Sequence, residues 1–150
     1  MSDKTIILHA EDDPNDVMLV GLAFRKAGIS AALRVVSDGE QVIEYLSGQG
    51  PYSDRHAHPL PALLLLDLKL PRRSGLEVLT WIRNRDELRR LPVVMLTSSG
   101  QATDVNRAYD IGVNSFVVKP SVLDELITMA RQIAGYWLDL NTKPALTPPE

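Results

Sequence analysis

The chain has 150 residues, a formal net charge of -3 and no cysteine, and 45% of its residues are hydrophobic. That length suits one compact domain with a substantial core, and the missing cysteines exclude disulfides and thiolate metal sites. The acidic balance argues against a nucleic-acid partner, which usually requires a basic surface. No apolar run approaches the length of a signal peptide or a membrane span, so we expect a cytoplasmic protein without a membrane partner.

Five short apolar runs alternate along the chain with five longer segments of helical character. The runs are rich in Ile, Val or Leu and predict β-strands at residues 4–10, 32–36, 62–66, 92–96 and 115–118. The third run is apolar throughout, which is typical of a central parallel strand that is buried on both faces. This alternation predicts an α/β fold with a doubly wound, five-stranded parallel sheet and five helices distributed over its two faces.

The helices are predicted from their start and stop signals and from apolar residues at helical spacing. The first begins at Asp13-Pro14, where aspartate can cap it and proline fits the first position, and it stops at Gly28. The others are predicted at residues 38–47, from 74 to at least 82, at 102–111 and at 123–137.

Two segments lie outside this alternation. Residues 48–61 form a long polar connection whose two histidines, His56 and His58, are more typical of a solvated loop than of a metal site. Residues 141–150 contain three prolines and predict an extended or mobile tail that follows a domain of residues 1–140.

Polar or charged residues follow four of the predicted strands at the point where each strand ends. Glu11 and Asp12 follow the first strand, Asp67 the third, Thr97 the fourth and Lys119 the fifth. In open α/β sheets, ligands bind outside the carboxyl ends of the strands, where the strand order reverses. An acid at the end of a buried strand is costly unless something compensates its charge. We therefore expect these five side chains to share one site.

Three carboxylates in one pocket repel one another unless one takes up a proton or a cation holds them together. Hard oxygen ligands without histidine or cysteine favour Mg²⁺, and an aspartate beside it can attack a phosphoryl donor to form an acyl phosphate. Lys119 can then pair with an oxygen of Asp67 or of the phosphoryl group, and the Thr97 hydroxyl can donate to the latter. For the acids after the first strand alone, the alternative is a solvated helix N-terminus stabilised by the helix dipole.

These residues stand in four short motifs that together resemble the bacterial response-regulator receiver domain. The motifs are Glu11-Asp12 after IILHA, Asp67 in LLLLDLKLP, Thr97-Ser98 in VVMLTSS and Lys119-Pro120 in FVVKP. The resemblance covers roughly residues 4–137 and implies a flavodoxin-like sheet with strand order 2-1-3-4-5.

The resemblance also implies how the acids would act. Asp67 would accept a phosphoryl group from a sensor histidine kinase. Mg²⁺ would be bound by Asp12 directly, by Glu11 through water, by Asp67, and by the backbone carbonyl of Lys69.

A switch and a rigid turn are implied as well. Thr97 would move toward the phosphoryl group while Phe116 turns inward, and the Lys119–Pro120 bond would be cis. Two residues depart from the family pattern. His9 stands where these proteins usually carry an aliphatic residue, and it is more typical of a satisfied or partly buried histidine than of a ligand. Phe116 stands where some members have tyrosine, so a switch here would depend on packing alone.

The long connection at 48–61 and the ending YWLDLN are similar to the small stand-alone response regulators that serve bacterial phytochromes. We therefore expect a phytochrome as the kinase. With no chain left for an output domain, output would be protein contact or transfer to a downstream phosphotransfer protein. Four apolar residues near the end predict either packing on the chain's own core or, as we favour, a homodimer contact: Tyr136, Trp137, Leu138 and Leu140.

Two other functions use related chemistry. A Mg²⁺-dependent phosphatase of the haloacid dehalogenase-like type forms an aspartyl phosphate, but it places a second acid where this chain has Lys69. A flavin-binding module would need a hydroxyl- and glycine-rich phosphate loop, where residues 11–14 supply three acids. The sequence therefore favours a signalling receiver over both alternatives. A receiver is not a conventional enzyme, because it catalyses only its own phosphorylation and dephosphorylation.

Overall fold

The computed structural model describes residues 5–146; the predicted strand start at Lys4 and the tail residues 147–150 lie outside them. Five strands form one parallel sheet, in the order that the resemblance implied. They are β1 (Ile6–Ala10), β2 (Ala32–Val36), β3 (Leu63–Leu66), β4 (Val93–Thr97) and β5 (Ser115–Val118). The central strands β1 and β3 pair in parallel, with Ala10 opposite Leu66 at their carboxyl ends. In the order β2-β1-β3-β4-β5, the chain runs from β1 toward one edge of the sheet to form β2 and then toward the other edge to form β3, β4 and β5. A crevice therefore lies at the carboxyl ends of β1 and β3.

Four α-helices connect the strands, and a fifth follows β5: α1 (Pro14–Lys26), α2 (Gly39–Ser47), α3 (Gly75–Arg83), α4 (Ala102–Ile111) and, after β5, α5 (Leu123–Ala134). Their starts follow the sequence signals. The Asp13 carboxylate accepts the Asn15 N–H at the start of α1, and Ser74 forms a reciprocal capping box with Glu77 at the start of α3. Within residues 5–146, no helix combines the length and the apolar character that crossing a bilayer requires.

Alternate residues of the central strands divide the core between the two faces of the sheet. Leu64 and Leu66 pack with α2, α3 and α4, whereas Leu63 and Leu65 pack with α1 and α5. All four leucines of β3 are fully buried, as the apolar run predicted. The fold is therefore a sheet covered on both faces, and only its edges are left to present polar groups.

The connection between α2 and β3 is held by arginines. The Arg55 guanidinium donates to the Tyr45 carbonyl at 2.7 Å, and Arg34 donates to the Ala57 carbonyl at 2.6 Å. His58 packs edge-on against Tyr45, so the prediction that this loop merely solvates its histidines is wrong for His58. An arginine can satisfy several loop carbonyls at once, and here this helps to order a segment that contains one short 3₁₀ turn, Gly50–Tyr52.

The chain continues from α5 into a π-helical segment, Gly135–Leu140. Trp137 and Leu138 pack against the core on the α1 and α5 face, while Tyr136 and Leu140 are 48% and 74% exposed. Beyond it, residues 141–146 have no regular structure, but Leu146 packs against the opposite core cluster. Two of the four residues predicted to contact a second copy thus contribute to the protein's own core.

Candidate metal centre at the carboxyl ends of the strands

Three backbone hydrogen bonds align the strand ends at the crevice. The N–H groups of Glu11 and Asp67 donate to the last carbonyls of β2 and β1, at 3.0 and 3.1 Å. The Lys119 N–H donates to the last carbonyl of β4 at 2.7 Å. Because each polar residue is tied to the neighbouring strand, their side chains start from fixed points along one edge of the sheet.

The three predicted acids do converge. Ligand oxygens of Glu11, Asp12 and Asp67 lie within 4.8 Å of one another. Glu11 is 2% exposed and Asp67 8%, while Asp12 is exposed. Burial, reinforced by the negative charge of Glu11, raises the pKa of Asp67 to about 6, although Lys119 and a hydrogen bond from Thr97 oppose the increase.

This donor set fits a hard divalent cation. Three carboxylates supply oxygen ligands, and the exposed side at Asp12 leaves room for the waters that Mg²⁺ retains. A cation bound among them would relieve the repulsion that raises the pKa of Asp67. Glu11 also accepts the backbone N–H of Asp13 at 3.1 Å, which fixes its carboxylate against the start of α1.

Lys119 does not bond to Asp67, contrary to one of the predicted pairings. Its buried ammonium donates to Glu11 Oε1 at 2.6 Å and to Asp16 Oδ2 at 2.7 Å. Burial alone would lower the pKa of Lys119, but hydrogen bonds to Asp16 and Glu11 outweigh it, so the pKa is raised. The physical reason for this pairing is that buried Glu11 needs a counter-charge, and Asp16 supplies a second carboxylate close by.

Asp16 is the site residue that the sequence analysis missed. It lies in the first turn of α1 and is half-buried, with 35% of its side chain exposed. An acid in a first helical turn is common because the helix dipole stabilises it, so its position gave no reason to connect it with Lys119.

Thr97 is buried at the end of β4, and Phe116 is partly buried against the α2–α4 core cluster. The side chain of Lys69 is exposed. The switch roles of Thr97 and Phe116 and the carbonyl-ligand role of Lys69 remain predictions.

The predicted cis bond is wrong for this structure, because residues 5–146 contain no cis peptide bond and Lys119–Pro120 is therefore trans. Trans is the intrinsically favoured isomer, by about 0.5–1 kcal/mol for a bond to proline.

His9 is fully buried in β1, and its Nδ1 has no hydrogen-bond partner in the described part of the chain. The prediction of a satisfied or only partly buried histidine is therefore wrong. Burial, with the nearby Lys119 charge, lowers the pKa of His9 to about 4, and Asp16 only partly opposes this. The imidazole is therefore neutral at neutral pH.

Gly75 fixes the turn that follows Asp67. Its N–H donates to the Leu68 carbonyl at 2.9 Å, and a Cβ at this position would lie 2.3 Å from the Asp67 carbonyl oxygen. Only glycine allows α3 to begin so close to the acid, which makes Gly75 part of the scaffold of the site.

A 2-1-3-4-5 sheet with three acids, a threonine and a lysine at its carboxyl edge defines a receiver domain. The chain belongs to the response regulator receiver domain family, whose model matches residues 7–131. It is 37% identical over 149 residues to response regulator Rcp1 of Synechocystis sp., an alignment that covers 97% of this chain and 99% of that protein.

Solved structures agree. The phosphorylated cyanobacterial phytochrome response regulator RcpA matches with a TM-score of 0.87 and 32% identity, covering 95% of this chain and 100% of that one. The Mn²⁺-bound form of Rcp1 matches with a TM-score of 0.83 and 37% identity, covering 94% and 99%. The chain is thus the receiver domain of a response regulator related to those of phytochromes, in a family that binds divalent metal.

Proposed function

We propose that this protein is a response regulator that accepts a phosphoryl group on Asp67 from a sensor histidine kinase. The observation that carries the proposal is the convergence of Asp67 with Glu11 and Asp12, beside a buried Lys119. Solvation alone does not account for three acids gathered around the end of a buried strand.

Asp67 has the properties of a nucleophile toward phosphorus. A carboxyl with a pKa near 6 is mostly ionised at neutral pH, yet it is more basic than an ordinary aspartate. One carboxylate oxygen of Asp67 forms a bond to phosphorus while the bond between phosphorus and the donor's leaving group breaks. The leaving group departs with the electron pair of the broken bond. Mg²⁺, held by Asp12, Asp67, the Lys69 carbonyl and, through water, Glu11, would supply positive charge to the transferring group.

The signal would then pass from Asp67 to the surface through Thr97 and Phe116. Thr97 is buried at the end of β4, and its hydroxyl can donate to a phosphoryl oxygen. Phe116 packs on the core and has no hydroxyl, so its two positions would differ in packing alone.

The relatives support a phytochrome as the kinase, because RcpA is a phytochrome response regulator and its alignment covers nearly the whole chain. Output would be a contact with another protein or onward transfer to a phosphotransfer protein. Localisation in the cytoplasm stays a prediction.

A homodimer remains part of the proposal. Exposed Tyr136 and Leu140 would form its contact, with Trp137 and Leu138 supporting them from the core side. Light scattering would test it: replacing Tyr136 and Leu140 with serine should lower the average mass. An unchanged mass distribution would show that this segment does not hold two copies together.

The test of the phosphoacceptor is incubation with Mg²⁺ and acetyl phosphate, followed by intact-mass measurement. The parent and the Asp110→Asn control, which changes an exposed acid on α4, should each gain one phosphoryl group. Asp67→Asn, and the parent in EDTA, should gain none. Rapid turnover of added phosphomonoesters would instead show the haloacid dehalogenase-like phosphatase.

A further inference from the structure

Lys119 is shared between two carboxylates that differ in burial. Glu11 has 1% of its side chain exposed, whereas Asp16 has 35% and lies outside the group of three acids that converge at Asp67. Both hydrogen bonds to Lys119 are short and charge-assisted, at 2.6 and 2.7 Å.

An ammonium has three N–H donors, and two of those on Lys119 are already used. If phosphorylation adds negative charge at Asp67, the ammonium is attracted toward that side of the site. The bond to buried Glu11 is costly to give up, because an uncompensated carboxylate would remain in the core. The bond to Asp16 is the one that can break, since water can reach a carboxylate that is one-third exposed.

We propose that Asp16 is a positioning residue that restrains Lys119 in the unphosphorylated protein and releases it as the phosphoryl group forms on Asp67. This inference rests on the proposed function. Asp16 is not among the three converging acids that are predicted to bind the metal, and it acts through the position of the Lys119 ammonium.

Asp16→Asn keeps the shape of the side chain but removes the charge that attracts Lys119. At saturating acetyl phosphate and Mg²⁺, the maximal phosphorylation rate constant should rise about fivefold, the size expected for losing one partly exposed ion pair. The half-saturating donor concentration should change little, because the restraint opposes charge development in the reaction and not donor binding.

Asp13→Asn is the matched control, because it removes one negative charge from the same helix start without touching Lys119. Asparagine caps a helix about as well as aspartate, so α1 should be preserved. Asp16→Glu restores a carboxylate and should return the rate toward that of the parent.

A double-mutant cycle with Lys119→Met decides whether Asp16 acts through Lys119. The fivefold gain should disappear in the Lys119→Met background. An equal gain from Asp13→Asn, a gain that survives Lys119→Met, or a fall in rate with Asp16→Asn would each overturn the proposal. If Lys119→Met is too slow to measure, failure of Asp16→Glu to restore the parent rate overturns it instead. Absence of any adduct on the parent would refute the proposed function itself.

Discussion

Replacing His9 with leucine should make the protein's stability much less sensitive to mild acid. His9 is buried in β1, and its Nδ1 has no partner in the part of the chain that the structure describes. Burial and the Lys119 charge lower its pKa to about 4. Folding therefore requires the neutral ring, whereas the unfolded chain binds a proton on His9 with a pKa of about 6.5. Between those two values the unfolded state holds more protons, so stability must fall as the pH falls.

The size of the effect follows from the two pKa values. A pKa lowered from 6.5 to about 4 corresponds to about 3 kcal/mol of preference for the neutral ring in the folded state. The full loss of stability would be reached only below about pH 4. Between about pH 7.5 and about pH 5, the loss attributable to His9 should be about 2 kcal/mol. Leucine should also remove the unpaired buried nitrogen, which should raise the free energy of unfolding at neutral pH by roughly 1 kcal/mol.

Urea unfolding at both pH values, in EDTA, measures this loss as a difference between parent and variant. Asp67, whose raised pKa has the opposite sign of effect, titrates in both proteins, so its contribution largely cancels. His9→Val should behave like His9→Leu, and His56→Gln, at an exposed histidine, should behave like the parent. If parent and His9→Leu lose the same free energy between the two pH values, the assignment of a neutral buried imidazole is wrong.

Three further substitutions test hydrogen bonds and close packing in the fold, and one of them, at Gly75, lies beside Asp67. Arg83→Met should lower the free energy of unfolding by about 2–4 kcal/mol, as measured by urea unfolding. The reason is that the Arg83 guanidinium donates to the carbonyls of Gly112, Arg89 and Leu91 and to the Asn114 side chain. Arg85→Met, at an exposed arginine, should lower it by less than about 0.5 kcal/mol. Gly75→Ala should lower the free energy of unfolding by about 1–3 kcal/mol and slow phosphorylation by acetyl phosphate, because the added Cβ would collide with the Asp67 carbonyl oxygen. Unchanged values of both would refute that close approach. Tyr45→Phe should lower the free energy of unfolding by about 1 kcal/mol, because the Pro59 carbonyl loses the hydroxyl that donates to it at 2.9 Å; no change would show that this bond contributes nothing.

The convergence of Glu11, Asp12 and Asp67 could be predicted because strand-end residues of a parallel sheet share one edge. Short apolar runs located the strands, and start and stop signals together with apolar residues at helical spacing located the helices. The adjacency of β1 and β3, which brings the acids together, came from the family resemblance, since alternation alone leaves several strand orders open.

The partners of individual charges could not be predicted. Lys119 bonds to Asp16 and not to Asp67, a choice that depends on where α1 lies over the strand ends. His9 was expected to be satisfied or partly buried, but its Nδ1 has no hydrogen-bond partner among residues 5–146. The order in residues 48–61 comes from arginine contacts to backbone carbonyls, which leave no periodic trace in a sequence.

Locating the phosphoryl group tests whether Asp67 is the phosphoacceptor. After reaction with acetyl phosphate and Mg²⁺, borohydride reduction converts an acyl phosphate to an alcohol that tandem mass spectrometry can locate. We expect reduction at Asp67 alone, and only in samples that received both donor and metal. Reduction at Glu11 or Asp12 instead, or an adduct at Asp67 that forms equally well in EDTA, would contradict the proposed roles of nucleophile and metal ligands.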